Sequence, residues 1–367
     1  VLKSFKNLKK KNDFIVVEGA GSPAEVNLRK GDIANMGFAE AAGVPVIIIG
    51  DIDRGGVIAQ LVGTKNILTK QDSNRIKGFI INKFRGDISL FDEGLRITEY
   101  KTNWSSLGVV PWFDEANILP AEDILDISSS SGDQIKIVVP KLKRIANFDD
   151  LDPLKIEPSI SLEIIERGNP LPQDAALILI PGSKSTISDL EDFYDQGWDI
   201  DLKAHLRRGG KILGICGGYQ MLGKMIHDPN GIEGPPKSIE GLGLLDIETT
   251  MSENKILQEI TAQTKEGNID VKGYEIHIGK SEGKDLTNSW LSVDGKSVSA
   301  ATKDGNIQGC YIHGIFSNDS FRSNYIKGLG ATPSELKFDA KVDITLDQLS
   351  KHIERFIDLE QLISLAE

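Results

Sequence analysis

The sequence contains few cysteines, few aromatic residues and no long apolar run. Its 367 residues include two cysteines, and aromatic residues make up 6%. Two cysteines exclude a disulfide framework and are typical of a reducing compartment, so we predict a cytoplasmic location. The apolar runs are all far shorter than the roughly 20 residues of a membrane span, and no signal peptide is recognisable. We therefore expect no membrane partner.

Positive charge is also scarce. The 42 lysines and arginines are outnumbered by 54 aspartates and glutamates, which gives a net charge of −12. Because no basic block follows the first dozen residues, nucleic acid is not an expected partner. A hydrophobic content of 40% with 26% charged residues describes a globular protein, and the length favours two domains.

Apolar, strand-like segments alternate with helix-length segments in the first 120 residues. The predicted strands are 13–18, 44–50, 78–82 and 107–111. This alternation predicts an α/β fold, in which a parallel sheet carries helices on both faces.

Polar residues follow the predicted strands of this half. They are Glu18, Asp51, Asp53, Arg54 and Asn82. The carboxyl ends of the strands are where open α/β sheets bind ligands. An acidic residue followed by a glycine loop, as at Glu18, is typical of a magnesium–nucleotide site.

A serine-rich stretch, 128–133, separates this half from a second α/β pattern and is predicted to be a flexible linker. Strands are predicted after it at 134–140, 161–166, 175–180 and 211–215. Further predicted elements are β-like segments at 273–279 and 307–316 and a C-terminal amphipathic helix at 346–366.

Residues 211–223, KILGICGGYQMLG, have the pattern strand, abrupt turn, helix. Gly217 and Gly218 allow a turn that a Cβ would obstruct, and Cys216 is placed at the start of the helix. Backbone N–H groups there favour a thiolate, so Cys216 is a candidate nucleophile. The alternative is a buried cysteine that acts as a small hydrophobe, although such a residue needs no glycines beside it.

A thiol nucleophile needs a base, and the sequence offers five histidines. His205 lies beside two arginines and is predicted at the surface, His227 precedes a turn, and His352 falls in the C-terminal helix. His313 ends an apolar strand and is preferred as the base, but His277 remains open, and either residue could be purely structural. No second cysteine or histidine lies at ligand spacing from them, so no metal site is expected here.

The segment PGS follows the predicted strand 175–180 and contains Gly182 and Ser183. The N–H groups of this turn, with that of Gly217, are candidates for an oxyanion hole. A simple turn with a serine as helix N-cap is the alternative, and the two interpretations are compatible. Gln220, one helical turn past the cysteine, is a candidate for holding a polar substrate.

The segment CGGYQ (216–220) resembles the C-x-G-x-Q pattern of triad-type glutamine amidotransferases. Gly182 and Ser183 resemble their oxyanion loop, and His313 stands where their base is found. The resemblance implies that Cys216 attacks the glutamine carboxamide, ammonia leaves, and water releases glutamate. The family often carries a glutamate two residues after the histidine. Ile315 occupies that position, so a dyad without a third member is expected, as in the cobyric acid/cobyrinic acid branch.

Motifs along nearly the whole chain are similar to the adenosylcobyric acid synthase family: EGAGSPAEVNL, DIANMG, DIDRGG, NKFRGD, PGSKSTI, GYEIH and YIHGIF. The resemblance implies a dethiobiotin-synthetase-like, P-loop-type domain over 1–127 and a class I glutamine amidotransferase domain over 134–367. It also implies ATP-dependent amidation of the b, d, e and g carboxylates of adenosylcobyrinic acid a,c-diamide, a corrinoid, with ammonia from glutamine.

By the same resemblance, Glu18 and Asp51 would lie near Mg²⁺, Asp53 and Arg54 near phosphate or the activated carboxylate, and Asn82 near the nucleotide base. ATP and Mg²⁺ are expected as co-substrate and ion, without a tightly bound cofactor. No P-loop sequence precedes the first acidic strand, so a truncated chain is expected. The alternatives are an a,c-diamide synthase of cobyrinic acid and a non-catalytic, amidotransferase-like binding module.

Overall fold

The computed structural model describes residues 1–120 and 128–366, which form two compact units. The first unit comprises residues 1–116 together with 345–367, and the second comprises 117–344. The C-terminal residues therefore group with the first half of the chain, whereas the sequence prediction assigns 134–367 to one amidotransferase domain. No described helix is long and apolar enough to cross a membrane.

The α-helices, in chain order, are α1 (Leu2–Lys9), α2 (Met36–Ala42), α3 (Val57–Ile67), α4 (Lys70–Arg75), α5 (Asp92–Thr102), α6 (Asp152–Lys155), α7 (Thr186–Asp195), α8 (Trp198–Arg207), α9 (Gly217–Leu222), α10 (Asp319–Gly328), α11 (Phe338–Glu354) and α12 (Leu359–Ser364).

The β-strands, in chain order, are β1 (Val46–Asp51), β2 (Ile76–Phe84), β3 (Ser105–Pro111), β4 (Ile135–Pro140), β5 (Ile145–Ala146), β6 (Ile160–Ile165), β7 (Leu177–Ile180), β8 (Gly182–Ser183), β9 (Lys211–Ile215), β10 (Met225–Asp228), β11 (Lys237–Glu240), β12 (Ile247–Thr264), β13 (Asp270–Gly283), β14 (Leu291–Val293), β15 (Lys296–Ser297), β16 (Ser299–Ala301), β17 (Ile307–Cys310) and β18 (Ile312–His313).

The first unit is built on a parallel sheet with the order β1-β2-β3. The apolar runs of the sequence form these strands because β2, in the centre, buries Phe79 and Ile81 completely. The C-terminal residues add to a second cluster with Leu107, and Asp358 donates a backbone hydrogen bond to the Leu107 carbonyl. The predicted α/β architecture is confirmed.

The prediction of a buried strand at 13–18 is wrong. This segment has no regular secondary structure, and Phe14, Val16 and Val17 are exposed. Its composition suits a strand, but among the described residues no neighbouring strand pairs with its N–H and C=O groups. Apolar composition alone does not form a strand, because the backbone groups need partners.

The second unit contains a sheet with the order β16-β17-β9-β7-β4-β6, parallel except for β16. Its central strands β9 and β7 are buried apolar segments, as predicted. A second sheet, with the order β11-β10-β12-β13-β18, includes the long antiparallel pair β12–β13. The carboxyl end of β9 and the short strand β18 carry Cys216 and His313.

The serine-rich stretch predicted as a flexible linker is held against β6. Ser130 donates a backbone hydrogen bond to the Leu162 carbonyl, and Ser129 Oγ accepts from the Ile164 N–H. This stretch belongs to the second unit. The described chain leaves the first unit at residue 116, before this stretch begins.

Candidate active site

Cys216 occupies a strained turn between β9 and α9. Its φ of 51° is rare for a residue other than glycine and marks the type of elbow that projects a nucleophile. An added Cβ at Gly218 would overlap the carbonyl of Ile180, so the close approach of α9 to β7 requires glycine there. The Cys216 thiol is 7% exposed and donates to the Ile276 carbonyl oxygen at 3.6 Å.

His313 is held by Asp150. Asp150 Oδ2 lies 2.7 Å from His313 Nδ1, and Asp150 Oδ1 accepts from the Gly314 N–H at 2.6 Å. Both side chains are essentially fully buried. The Tyr274 ring stacks on the imidazole with 5.3 Å between centroids. These contacts fix the ring plane of His313 and assign its Nδ1 to the carboxylate.

His313 Nε2 is directed to the nucleophile. Burial lowers the pKa of His313, but the charge and hydrogen bond of Asp150 outweigh it. The adjacent Cys216 side chain acts in the same direction, so the His313 pKa lies well above its ordinary value. Nε2 is buried without a well-aligned partner among the described residues. The arrangement favours an imidazolium beside the sulfur.

The expectation of a dyad without a third member is wrong. Asp150, not a residue after His313, orients the imidazole. Ile315 is fully buried in the apolar core, as expected for an apolar side chain. Asp150 lies in a short 3₁₀ segment (Phe148–Leu151), and the sequence there has no helical or strand periodicity that would predict it. The one local signal was the acidic segment DDLD (149–152), and its composition does not indicate which residue it would contact.

Gly182 and Ser183 lie beside the Cys–His pair. A Cβ on Gly182 would stand 3.1 Å from His313 Cε1, and one on Gly217 would stand 2.8 Å from the Ser183 nitrogen. Bonded and non-bonded residues alternate in an antiparallel pair. The Lys184 N–H donates to the Arg144 carbonyl, so Ser183 and Ile145, the next pair along, are not hydrogen-bonded to each other. The N–H of Ser183 therefore points away from β5. Since Gly217 directly follows Cys216, the N–H groups of Ser183 and Gly217 lie close to each other near the nucleophile.

The side chain of Gln220 is buried and hydrogen-bonded within the protein. Its amide oxygen accepts from Thr186 Oγ1 at 3.1 Å, and its nitrogen donates to the Ile278 carbonyl at 2.9 Å and to the Tyr311 hydroxyl at 3.2 Å. In this structure Gln220 joins α9 to α7 and to β13, and substrate binding by Gln220 stays a prediction.

Glu233 is a buried carboxylate that sequence reasoning missed. Its oxygens accept from the N–H groups of Thr186 and Ile187, at the start of α7. Burial raises the pKa of Glu233. Because α7 follows the loop that contains Ser183, this cap fixes the loop beside the nucleophile.

The remaining histidines lie outside the Cys–His pair. His205 is buried, and its Nε2 contacts the Lys211 carbonyl at 3.0 Å, so the prediction of a surface position is wrong. His227 contacts Ser238 and Glu248, and His352 contacts the Pro111 carbonyl. Each of these three rings has a structural role.

Comparisons with known proteins agree with this geometry. Residues 136–321 match the model of the CobB/CobQ-like glutamine amidotransferase domain, and residues 1–117 match that of the AAA domain. A protein named cobyric acid synthase from a Ruegeria species is 55% identical over 366 residues, covering 100% of this chain and 76% of the relative. The chain belongs to the cobyric acid synthase family.

Further members support the same assignment. Cobyric acid synthases from Cereibacter sphaeroides and Bradyrhizobium diazoefficiens are 51% and 52% identical, each over 100% of this chain and 76% of the relative. As a member of the cobyric acid synthase family, the chain is a glutamine-dependent amidating ligase of cobalamin biosynthesis. The family and the enzyme class predicted from the sequence motifs are confirmed.

In the first unit of this family member, the carboxyl ends of β1 and β2 place Asp51 opposite Asn82. Asp51 forms an ion pair with Lys83 at 3.1 Å and accepts from the Asp53 N–H at 2.9 Å. Burial raises the pKa of Asp51, but the hydrogen bond with Lys83 holds it below its ordinary value. Three of the predicted ligand-side residues therefore lie at one edge of the sheet.

Asp53 forms a 2.6 Å ion pair with Arg85, whose guanidinium lies 3.5 Å from the centroid of the Trp112 ring. Arg54 and Glu18 are exposed, and Glu18 lies in the irregular segment described above. In the part of the chain that the structure describes, no three Asp, Glu, His or Cys side chains form a metal cluster. These residues alone do not form a magnesium site.

Proposed function

We propose that this chain hydrolyses glutamine at Cys216 and uses the ammonia to amidate the b, d, e and g carboxylates of adenosylcobyrinic acid a,c-diamide, with ATP as the activating co-substrate. The observation that carries the glutaminase half is the buried Cys216–His313–Asp150 arrangement. The corrinoid substrate is inferred from the relatives named cobyric acid synthase.

In the first chemical step, Cys216 Sγ attacks the carboxamide carbon of glutamine. In the attacking pair the thiol proton is already held by His313 Nε2, and Asp150 stabilises this imidazolium through Nδ1. The N–H groups of Ser183 and Gly217 are positioned to stabilise the negative oxygen of the tetrahedral intermediate. His313 then returns the proton to the nitrogen, the C–N bond breaks, and ammonia leaves from a thioester.

In the second step, His313 removes a proton from water, and the hydroxyl attacks the thioester carbon. The C–S bond breaks, glutamate is released, and Cys216 is restored. ATP supplies the activation of the acceptor carboxylate in the other half-reaction. Asp51, Asp53 and Asn82 are proposed to face that co-substrate, because they cluster at the carboxyl ends of parallel strands.

The Cys216→Ala variant tests the glutaminase assignment. Loss of the nucleophile is expected to lower glutamine hydrolysis by about 10⁶-fold, to background. Amidation with added ammonium chloride should persist in the holoenzyme. Glutamate release and corrinoid mass, which rises by one amide at a time, measure the two activities.

Equal loss of both nitrogen sources would contradict the role of Cys216, and absent glutaminase activity in the wild type would favour a non-catalytic module. Addition of two amides to cobyrinic acid, rather than four to the a,c-diamide, would identify an a,c-diamide synthase instead.

A further inference from the structure

His277 lies in the wall of the glutaminase site. It is the residue of β13 between Ile276, whose carbonyl accepts from the Cys216 thiol at 3.6 Å, and Ile278, whose carbonyl accepts from Gln220 Nε2 at 2.9 Å. The His277 side chain is 8% exposed. The backbone on both sides of His277 is therefore fastened to the segment that carries the nucleophile.

The imidazole of His277 is held in one orientation. It stacks on the ring of Tyr311 with 3.7 Å between centroids and 11° between planes. The Tyr311 hydroxyl in turn accepts from Gln220 and contacts Ser281 Oγ at 2.7 Å. Because stacking fixes the ring plane, the direction in which each ring nitrogen points is set before any ligand binds.

One ring nitrogen of His277 forms no hydrogen bond within the described protein. Among the described residues, His277 Nδ1 is buried without a hydrogen-bond partner. A buried polar atom left unpaired is costly, so natural structures retain one mainly where a ligand or a reaction uses it. His313 Nε2 is in the same condition, and its use is the proton transfer already described. His277 Nδ1 has no such assignment.

A neutral imidazole has one nitrogen that can accept a hydrogen bond. Burial lowers the pKa of His277, while the nearby Glu275 and a hydrogen bond with the Gly279 backbone act against it, and the net shift is downward. The ring is therefore neutral at neutral pH and carries one proton. Because Nδ1 is buried without a partner among the described residues, it is the nitrogen that can present a lone pair to a ligand.

We propose that His277 Nδ1 accepts a hydrogen bond from an N–H group of the glutamine substrate and holds the substrate for attack by Cys216. This inference rests on the glutaminase function proposed above. It assigns His277 to substrate binding, whereas proton transfer belongs to His313. It also distinguishes two functions in the motif GYEIH, since Tyr274 stacks on the base and His277 contacts the substrate.

Two substitutions distinguish the hydrogen bond of Nδ1 from the stacking of the His277 ring. His277→Phe keeps the stack on Tyr311 and removes the acceptor. His277→Asn loses the ring but places an amide oxygen near the position of Nδ1. In the holoenzyme, the Phe variant should raise KM for glutamine about tenfold or more, the effect of one lost hydrogen bond. The Asn variant should stay within about threefold of the wild type.

Ammonia-dependent amidation should be unchanged in both variants, which also reports that each has folded. The opposite order, with Asn impaired and Phe normal, would assign His277 to packing and overturn the inference. Equal glutamine KM values in both variants, whether normal or raised, would overturn it as well. If the wild type itself released no glutamate, the proposed function would fail instead, and the two failures are thus distinguishable.

Discussion

The two functional regions of this chain differ in how they are built. In residues 117–344, Cys216, His313 and Asp150 are buried, and the glycines around them are closely packed against backbone. In the first unit, Asp51 and Asp53 are partly exposed, and each is paired with a basic side chain. Gly55, Gly56 and Gly86 of that edge have open space where a Cβ would stand.

This difference in burial determines how strongly the charged side chains of each region interact with one another. Charges in a buried site interact strongly, so a single carboxylate is enough to set the ionisation of His313. Exposed ion pairs are screened by water and salt and contribute little stability. The proposed glutaminase site is thus organised by buried side chains, whereas the charged side chains of the sheet edge form solvent-exposed ion pairs.

Among the substitutions that test this comparison, the largest effect is expected from Asp150→Asn. The change removes the charge that stabilises the imidazolium, so kcat for glutamine hydrolysis should fall by about 10³- to 10⁴-fold. The pKa of His313 should also fall, because burial is then opposed mainly by the Cys216 side chain. In the wild type the imidazole stays protonated as the pH rises past its ordinary value, and in the variant it loses the proton at lower pH. Glutamate release and an NMR titration of His313 measure the two effects.

Asp149→Asn is the matched control, because Asp149 contacts the Tyr274 hydroxyl rather than the imidazole. Its effect on kcat should be less than about tenfold. Similar losses in both variants would mean that the loop, not the Asp150 carboxylate, is what matters.

A smaller effect is expected from Gly218→Ala. The new Cβ would overlap the Ile180 carbonyl, which is backbone and cannot move away easily. The free energy of unfolding of the second unit should fall by about 2–3 kcal/mol. Gly328→Ala, in α10 and with open space around it, should instead stabilise by about 0.5 kcal/mol. Calorimetric unfolding compares the two, and a harmless Gly218→Ala would refute the tight packing at the elbow.

The smallest stability effect is expected from Asp53→Asn, which breaks an exposed ion pair with Arg85. The free energy of unfolding should change by less than about 1 kcal/mol. Amidation should nevertheless fall about tenfold or more with either nitrogen source, because the substitution disturbs substrate positioning. Glutamate release should be unaffected.

Lys237→Gln, which breaks an exposed ion pair with Glu191 in the second unit, serves as its control. It should have the same small effect on stability and none on amidation. If Asp53→Asn behaved like this control in both respects, Asp53 would have no place in the ligase site.

The sequence predicted the glutaminase elbow well because its signals are local. Gly217 and Gly218 indicate a turn in which a Cβ would not fit, and the apolar run before Cys216 indicates a buried strand. Both features can be predicted from neighbouring residues in the sequence. In the structure, Gly182 and Ser183 lie beside the nucleophile because β7 and β9 are neighbours in a parallel sheet.

Asp150 and the segment at 13–18 show where such reasoning fails. Asp150 meets His313 across 163 positions of the chain, through a short 3₁₀ turn without periodicity, so only the tertiary fold brings them together. Residues 13–18 have the composition of a strand, but strand formation depends on a neighbour that composition does not reveal. Long-range partners are what local patterns omit.

The return of residues 345–367 to the first unit has a consequence for dissecting the enzyme. The chain of the first unit is interrupted by the second, so a single cut cannot yield both units intact. Truncation after residue 344 would remove Ile353 and Phe356 from the apolar cluster around Leu107 and leave that surface to water. Separate expression of the two units requires two cuts, near residues 116 and 344, and a link between the two segments of the first unit. In chain order, the second unit is therefore inserted within the first rather than appended to it.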